Sequence, residues 1–316
     1  MNTTTEVFPP PPTFANVPYG SHERQVLDFW KAPSSAPAPV LFFIHGGGWV
    51  GSDKSNIDLP GGIRQFIEAG ISVVATNYPY IVQTILVDET IPLLVITAAK
   101  VATEDPPVMA VFHNNARALQ FVRSKAAEWN IDKARIAVSG GSAGACSALW
   151  LAFHKDLADP ASTDPVARES TRPWCAAVMN AQTTLDPLQM KEWTPNNSYG
   201  GHAFGFAWDP KDGKAEFRAC LAGREIVLPW IQECSPYALA ASGAPPIYLW
   251  HDNDAPAYGQ EKKDPNHTAN FGALLEEKLR RIGVECELVY PGAPEVKHAL
   301  PGEYIIERLK APGRGL

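Results

Sequence analysis

Gly140-Gly141-Ser142-Ala143-Gly144 is the stretch that most limits what this chain can become. It follows the apolar run Arg135-Ile136-Ala137-Val138 and precedes a helix-like run over residues 145–154. A strand that turns sharply into a helix at a serine needs small flanking residues. Side chains there would strike the adjoining strand or helix. Such a turn holds the serine hydroxyl exposed at the top of a sheet, where it can act as a nucleophile. Ser142 is thus the candidate nucleophile.

A second motif lies nearly a hundred residues upstream. Residues 39–44 read Pro-Val-Leu-Phe-Phe-Ile, an unbroken apolar run suited to a strand buried on both faces. It ends in His45-Gly46-Gly47-Gly48-Trp49. Three glycines after a core strand leave bare amides that a substrate oxygen can approach closely. Gly47 and Gly48, with Ala143 after the nucleophile, are the expected oxyanion donors. His45 is expected to brace the glycine loop.

Together these motifs resemble the HGGG-type carboxylesterases of the α/β-hydrolase superfamily. Hormone-sensitive-lipase-like esterases and bacterial feruloyl-esterase-like proteins are both similar. The resemblance runs from about Val40 to the C-terminus. It implies an α/β-hydrolase fold, with a mostly parallel sheet flanked by helices and carrying cap-like insertions. It also implies a serine carboxylesterase that works through an acyl-enzyme. Asn77-Tyr78-Pro79-Tyr80 stands where the hormone-sensitive-lipase branch has an Arg-Leu-Ala-Pro-Glu run after its Asn-Tyr pair.

The superfamily order is serine, acid, histidine. The acid follows the next-to-last strand and the histidine the last. Residues 246–250 form a strand candidate followed by His251-Asp252-Asn253-Asp254. Related esterases read His-Gly-x-x-Asp at this corner, so the spacing here is one shorter. Asp254 is the expected acid, with Asp252 as the alternative. A helix fits residues 268–282, a last strand residues 285–290, and His298 follows as the expected general base.

Residues 1–24 read as an N-terminal arm and 25–316 as one α/β-hydrolase domain, interrupted at about 79–112 and 182–237 over the active site. The first interruption is apolar but broken by Asp88, Glu89 and Pro92. The second is rich in aromatic residues. Trp49, Tyr78, His202, Phe204, Phe206 and Trp208 are the expected substrate-binding residues, with packing of the insert as the alternative role of its aromatics. A helix is expected over 115–130.

The net charge of −7 argues against nucleic-acid binding, and no apolar stretch reaches membrane-spanning length. No Cys/His cluster has metal-ligand spacing, so no metal or cofactor is expected. Five cysteines do not make a disulfide framework, although Cys220 and Cys234 are close enough in sequence to pair. The N-terminus lacks a signal-peptide pattern, which fits a cytoplasmic enzyme or an exported one whose leader is missing from this sequence. The expected partner is a small-molecule or saccharide ester, short, medium or aromatic in its acyl part, with acetyl or feruloyl groups on carbohydrate among the candidates. A peptidase or amidase using the same triad, and a non-catalytic binding protein, are the alternatives.

Overall fold

A computed structural model describes residues 10–81, 84–88, 91–94 and 106–311. The strands are β1 (Phe14–Pro18), β2 (Val26–Trp30), β3 (Ala38–Ile44), β4 (Ser72–Thr76), β5 (Thr84–Asp88), β6 (Ile91–Leu94), β7 (Ile131–Gly141), β8 (Cys175–Met179), β9 (Ile247–Trp250) and β10 (Cys286–Val289). The helices are α1 (Arg64–Glu68), α2 (Pro107–Ser124), α3 (Ala126–Trp129), α4 (Ala143–Phe153), α5 (Pro187–Trp193), α6 (Ala215–Ala222), α7 (Arg224–Cys234), α8 (Pro236–Leu239), α9 (Asn270–Arg281) and α10 (Pro301–Lys310). A 3₁₀ turn covers Gly201–Phe204.

Eight strands form one sheet in the order β1-β2-β4-β3-β7-β8-β9-β10. From β4 to β10 every pairing is parallel, and β1 and β2 are antiparallel. The apolar run of β3 explains its central place, because the strand needs cover on both sides. Val40, Phe42 and Ile44 face a core shared with α2, α4 and α9. Leu41 and Phe43 face a second core closed by Phe66 of α1 and by Tyr304, Ile305 and Leu309 of α10. Helix α4 is buried along its whole length, which explains why its sequence shows no polar stripe. In α9, Phe271, Leu275 and Leu279 form the buried face, and Gly283 at φ +74° ends the helix.

Residues 14–18, within the stretch read as an N-terminal arm, pair with β2 as the edge strand of the sheet. The helix expected over 115–130 begins at Pro107. Pro106-Pro107 starts it rather than breaking it, since a proline at the first helical position loses no hydrogen bond. Residues 82–83, 89–90 and 95–105 of the first expected insertion lie outside the described residues, and its cap role stays an expectation. All five cysteines are free, including buried Cys220 and Cys234.

Candidate active site

Ser142 sits between β7 and α4 with φ 52° and ψ −121°, a backbone state that side chains rarely tolerate. Its neighbours show why the glycines are required. A Cβ on Gly140 would lie 2.5 Å from the Ile44 carbonyl oxygen, and one on Gly144 only 2.1 Å from it. The end of β3, the turn and the start of α4 are therefore packed backbone to backbone.

Ser142 Oγ lies 3.0 Å from Nε2 of His267, and His267 Nδ1 lies 2.8 Å from Asp264 Oδ2. With the Nδ1 proton donated to the carboxylate, Nε2 is left as an acceptor for the serine hydroxyl. The acid and the histidine share one loop, between β9 and α9. That loop is pinned by its own carbonyls. Asn197 Nδ2 donates to Pro265 O (2.7 Å), Gln182 Nε2 to Asn266 O (2.6 Å) and His251 Nδ1 to His267 O (3.2 Å). Burial pushes the His251 imidazole down to about 4, so it stays neutral.

His298 and Asp254, the expected base and acid, are not at Ser142. His298 Nδ1 pairs with Glu287 (2.8 Å) and Nε2 with Glu307 (2.9 Å). Its ring packs edge-on against Tyr304 of α10, on a face of the sheet rather than at the strand ends. Burial works to lower its pKa, but the bonds to the two carboxylates outweigh that and raise it. Asp254 is used up in holding its own loop. It pairs with Lys262 (2.8 Å) and accepts from Thr268 Oγ1 (3.2 Å) and Ala269 N (3.0 Å). Asp252 accepts from Asn180 Nδ2 at 2.9 Å.

The glycine loop faces the same space. Gly47 and Gly48 have φ of +91° and +60°, where glycine carries no steric penalty. The amide of Ala143, in the first turn of α4, has no acceptor within its helix. Behind the loop, burial lowers His45 to about 4 and keeps it neutral. Arg24 donates to its Nε2 (3.3 Å), so the ring proton sits on Nδ1 and is donated to Gly46 O (2.8 Å).

A cavity of about 660 Å³ contains Ser142, His267, Gly47 and Gly48. Met179, Asn180, Trp250, Asp252 and Asn266 line it beside the histidine loop, and Asp58, Pro60 and Tyr199 also line it. It opens at the C-terminal ends of β3, β7, β8 and β9, where ligands bind in open α/β sheets. Burial raises the Asp58 carboxyl above its ordinary range.

None of the six expected substrate-binding residues lines this cavity. Trp49 is fully buried, donating to Ser147 Oγ at 3.1 Å. Tyr78 is buried beneath the glycine loop and donates to the His45 and Gly46 carbonyls. His202 bonds Glu216 and Gly48 O. Phe204 belongs to the core, Phe206 packs against it, and Trp208 lies near Gly213. Of the insert's aromatics, Phe204 and Phe206 pack in or against the core, and Tyr199 reaches the cavity. Among the described residues, Tyr199 and Trp250 are the aromatics that line the site.

This sheet, with a serine turn after β7 and a histidine reaching it from the loop after β9, defines an α/β-hydrolase. A family profile for BD-FAE, the bacterial feruloyl-esterase-like α/β-hydrolases, matches residues 99–259. The chain belongs to this family and is a carboxylic ester hydrolase. No curated protein sequence matches it. Among solved structures, an acetyl ester-xyloside bifunctional hydrolase from Caldicellulosiruptor lactoaceticus is similar at 21% identity, with 95% of this chain and 94% of that one covered and a TM-score of 0.60. A truncated carbohydrate esterase from gut microbiota gives 15% identity, 94% and 96% coverage and a TM-score of 0.62. Esterase 2 from Thermogutta terrifontis gives 20% identity, 95% and 91% coverage and a TM-score of 0.59.

Proposed function

We propose that the chain removes short acyl groups from hydroxyl-rich alcohols such as sugars, through an acyl-enzyme on Ser142. The observation that carries this reading is the hydrogen-bonded chain Ser142–His267–Asp264, open to the same cavity as Gly47 and Gly48. His267 takes the serine proton as Ser142 attacks the ester carbonyl. The amides of Gly47, Gly48 and Ala143 hold the negative oxygen that forms. His267 then gives its proton to the departing alcohol oxygen, and water attacks the acyl-serine by the same route. Asp264 holds the imidazole in the required tautomer and stabilises its charged form.

The alcohol leaves toward His267, so the wall beside that residue meets it. Trp250 offers a flat apolar face, and Asp252, Asn180 and Asn266 offer hydrogen-bond partners. That mixture suits a sugar ring better than an alkyl alcohol. The presence of Asp58 in the cavity disfavours long alkyl chains, which would strip water from a carboxyl without replacing its hydrogen bonds. The carbohydrate esterases among the similar folds support the same substrate class.

The test is a panel of para-nitrophenyl esters of rising acyl length, acetylated xylo-oligosaccharides, methyl ferulate and a nitroanilide, with fluorophosphonate labelling mapped by mass spectrometry. Labelling at Ser142, lost in Ser142→Ala together with turnover of acetylated saccharides, is the expected result. Faster nitroanilide than ester hydrolysis, or full turnover by Ser142→Ala, contradicts the reading.

A further inference from the structure

The insertion between β8 and β9 hydrogen-bonds to the glycine loop through His202. His202 Nε2 lies 3.0 Å from the carbonyl oxygen of Gly48. Its Nδ1 lies 2.7 Å from Glu216 Oε1, and the same oxygen accepts from the backbone N–H of His202 at 2.8 Å. Both side chains are buried, with 9% and 7% of their surface exposed. Gly201, next to the histidine, has no room for a side chain, since a Cβ there would lie 2.7 Å from Glu216 Cγ. The couple is thus built in tightly, at the start of α6.

A carbonyl oxygen can only accept, so Nε2 must carry a proton. Nδ1 faces a carboxyl oxygen that already accepts one N–H. Glu216 thus fixes the ring's orientation, and Nε2–H donates to Gly48 O. The peptide is planar, so fixing that oxygen fixes the plane of the Gly48–Trp49 unit. Gly48 is otherwise the least restrained kind of residue, a glycine at positive φ between a glycine and a tryptophan. A Cβ on Gly48 would have His202 Nε2, Tyr199 Oη and Val50 Cγ2 as its nearest neighbours, each 3.8 Å away.

We infer that His202 and Glu216 are positioning residues for the oxyanion hole: by anchoring the Gly48 carbonyl they restrict rotation about the Gly48 Cα, and so hold its amide, which belongs to the preceding peptide, toward the substrate oxygen. The insertion is then part of the catalytic apparatus, although none of its helices carries a reacting group. The inference rests on the reading of Ser142 as nucleophile and Gly48 as oxyanion donor. Oxyanion donors act in the transition state, so misaiming one lowers kcat with little change in KM.

Two substitutions separate the two bonds of the ring. In His202→Gln the amide nitrogen falls near the place of Nε2 and can still donate to Gly48 O. In His202→Asn it falls near Nδ1, which keeps the Glu216 contact and loses Gly48. Kinetics on para-nitrophenyl acetate are referred to the number of serines titrated by a fluorophosphonate, so that unfolded protein does not count. The expected result is a fall in kcat of about tenfold or more for His202→Asn, with KM within about threefold, and substantial rescue in His202→Gln. Glu216→Gln falls between them. Equal kcat per titrated serine in wild type and His202→Asn overturns the inference, as does an equal loss in the Asn and Gln variants. If the wild-type protein itself is not labelled at Ser142, it is the serine-esterase reading that fails.

Discussion

Tyr78 Oη donates to the carbonyl oxygens of both His45 and Gly46, at 3.0 and 3.1 Å, from beneath the glycine loop. The Gly46 carbonyl and the Gly47 amide belong to one planar peptide, so a bond to the first orients the second. His45 Nδ1 holds the same oxygen. Tyr78→Phe removes one of these donors and leaves the ring stacked on His45. The expected outcome is a fall in kcat of about tenfold, unchanged KM, and a stability loss of about 1–2 kcal/mol from the carbonyls left short of a partner. Steady-state kinetics and thermal unfolding of the one variant check both.

Asp264→Asn and Asp254→Asn are expected to behave differently. Losing the Asp264 carboxylate leaves His267 without the partner that fixes its tautomer, and kcat falls by about 10²–10⁴. Asp254 holds Lys262 and the start of α9. Its replacement lowers the unfolding temperature and leaves kcat within about threefold of wild type at temperatures where the protein is folded. The pair of kcat values measures which aspartate serves the histidine.

Much of this site was legible because its glycines answer to local backbone geometry. Gly140, Gly144 and the run from Gly46 to Gly48 are demanded by contacts a few residues wide, so the sequence displays them directly. The strands β3 and β9 were equally plain, since each is a short apolar run buried in the sheet. The base was not legible, because eight histidines are chemically alike and position alone ranked them. His298 follows the last strand, but the chain there turns onto the α10 face and into Glu287 and Glu307. The signal for the residue that bonds Ser142 is Asp264-Pro265-Asn266-His267, an acid and a histidine one turn apart just before a helix. Gln182, Asn197 and His251, which hold that loop, are separated from it in sequence and become visible only in three dimensions. The insert's aromatics misled for a similar reason, since nothing in a sequence distinguishes a ring that lines a cavity from one that fills a core.

The two neutral buried histidines give stability a defined pH dependence. His45 and His251 are held at about 4, below their ordinary value of 6.5. Between those values the unfolded chain binds protons that the folded chain refuses, so this contribution is complete above pH 6.5 and is lost as pH falls toward 4. His298, raised by its carboxylates, acts in the opposite sense: its contribution is present below pH 6.5 and is lost as pH rises through its folded pKa. The expected outcome is a lower unfolding temperature at pH 5 than at pH 7.5. In His251→Asn, which keeps a donor near the place of Nδ1, part of that difference disappears. Thermal unfolding at the two pH values checks it.

Asp58 and Asp252 line the cavity, and among the described residues no lysine or arginine lines it with them. An ester bearing its own carboxylate is therefore expected to react at least about tenfold more slowly, by kcat/KM, than a neutral ester of the same size. Asp58→Asn narrows that gap by speeding the anionic ester more than the neutral one. The comparison is para-nitrophenyl butyrate against para-nitrophenyl hemisuccinate at pH 7.5, in wild type and variant.

The most direct measurement is kcat of His267→Ala beside that of His298→Ala, on the same short ester and per folded protein. With Nε2 of His267 at 3.0 Å from Ser142 Oγ, His267→Ala is expected to lose about 10³-fold or more, and His298→Ala to stay within a few-fold of wild type. A His267→Ala enzyme that turns over normally, or a His298→Ala enzyme that is folded and inactive, contradicts the account.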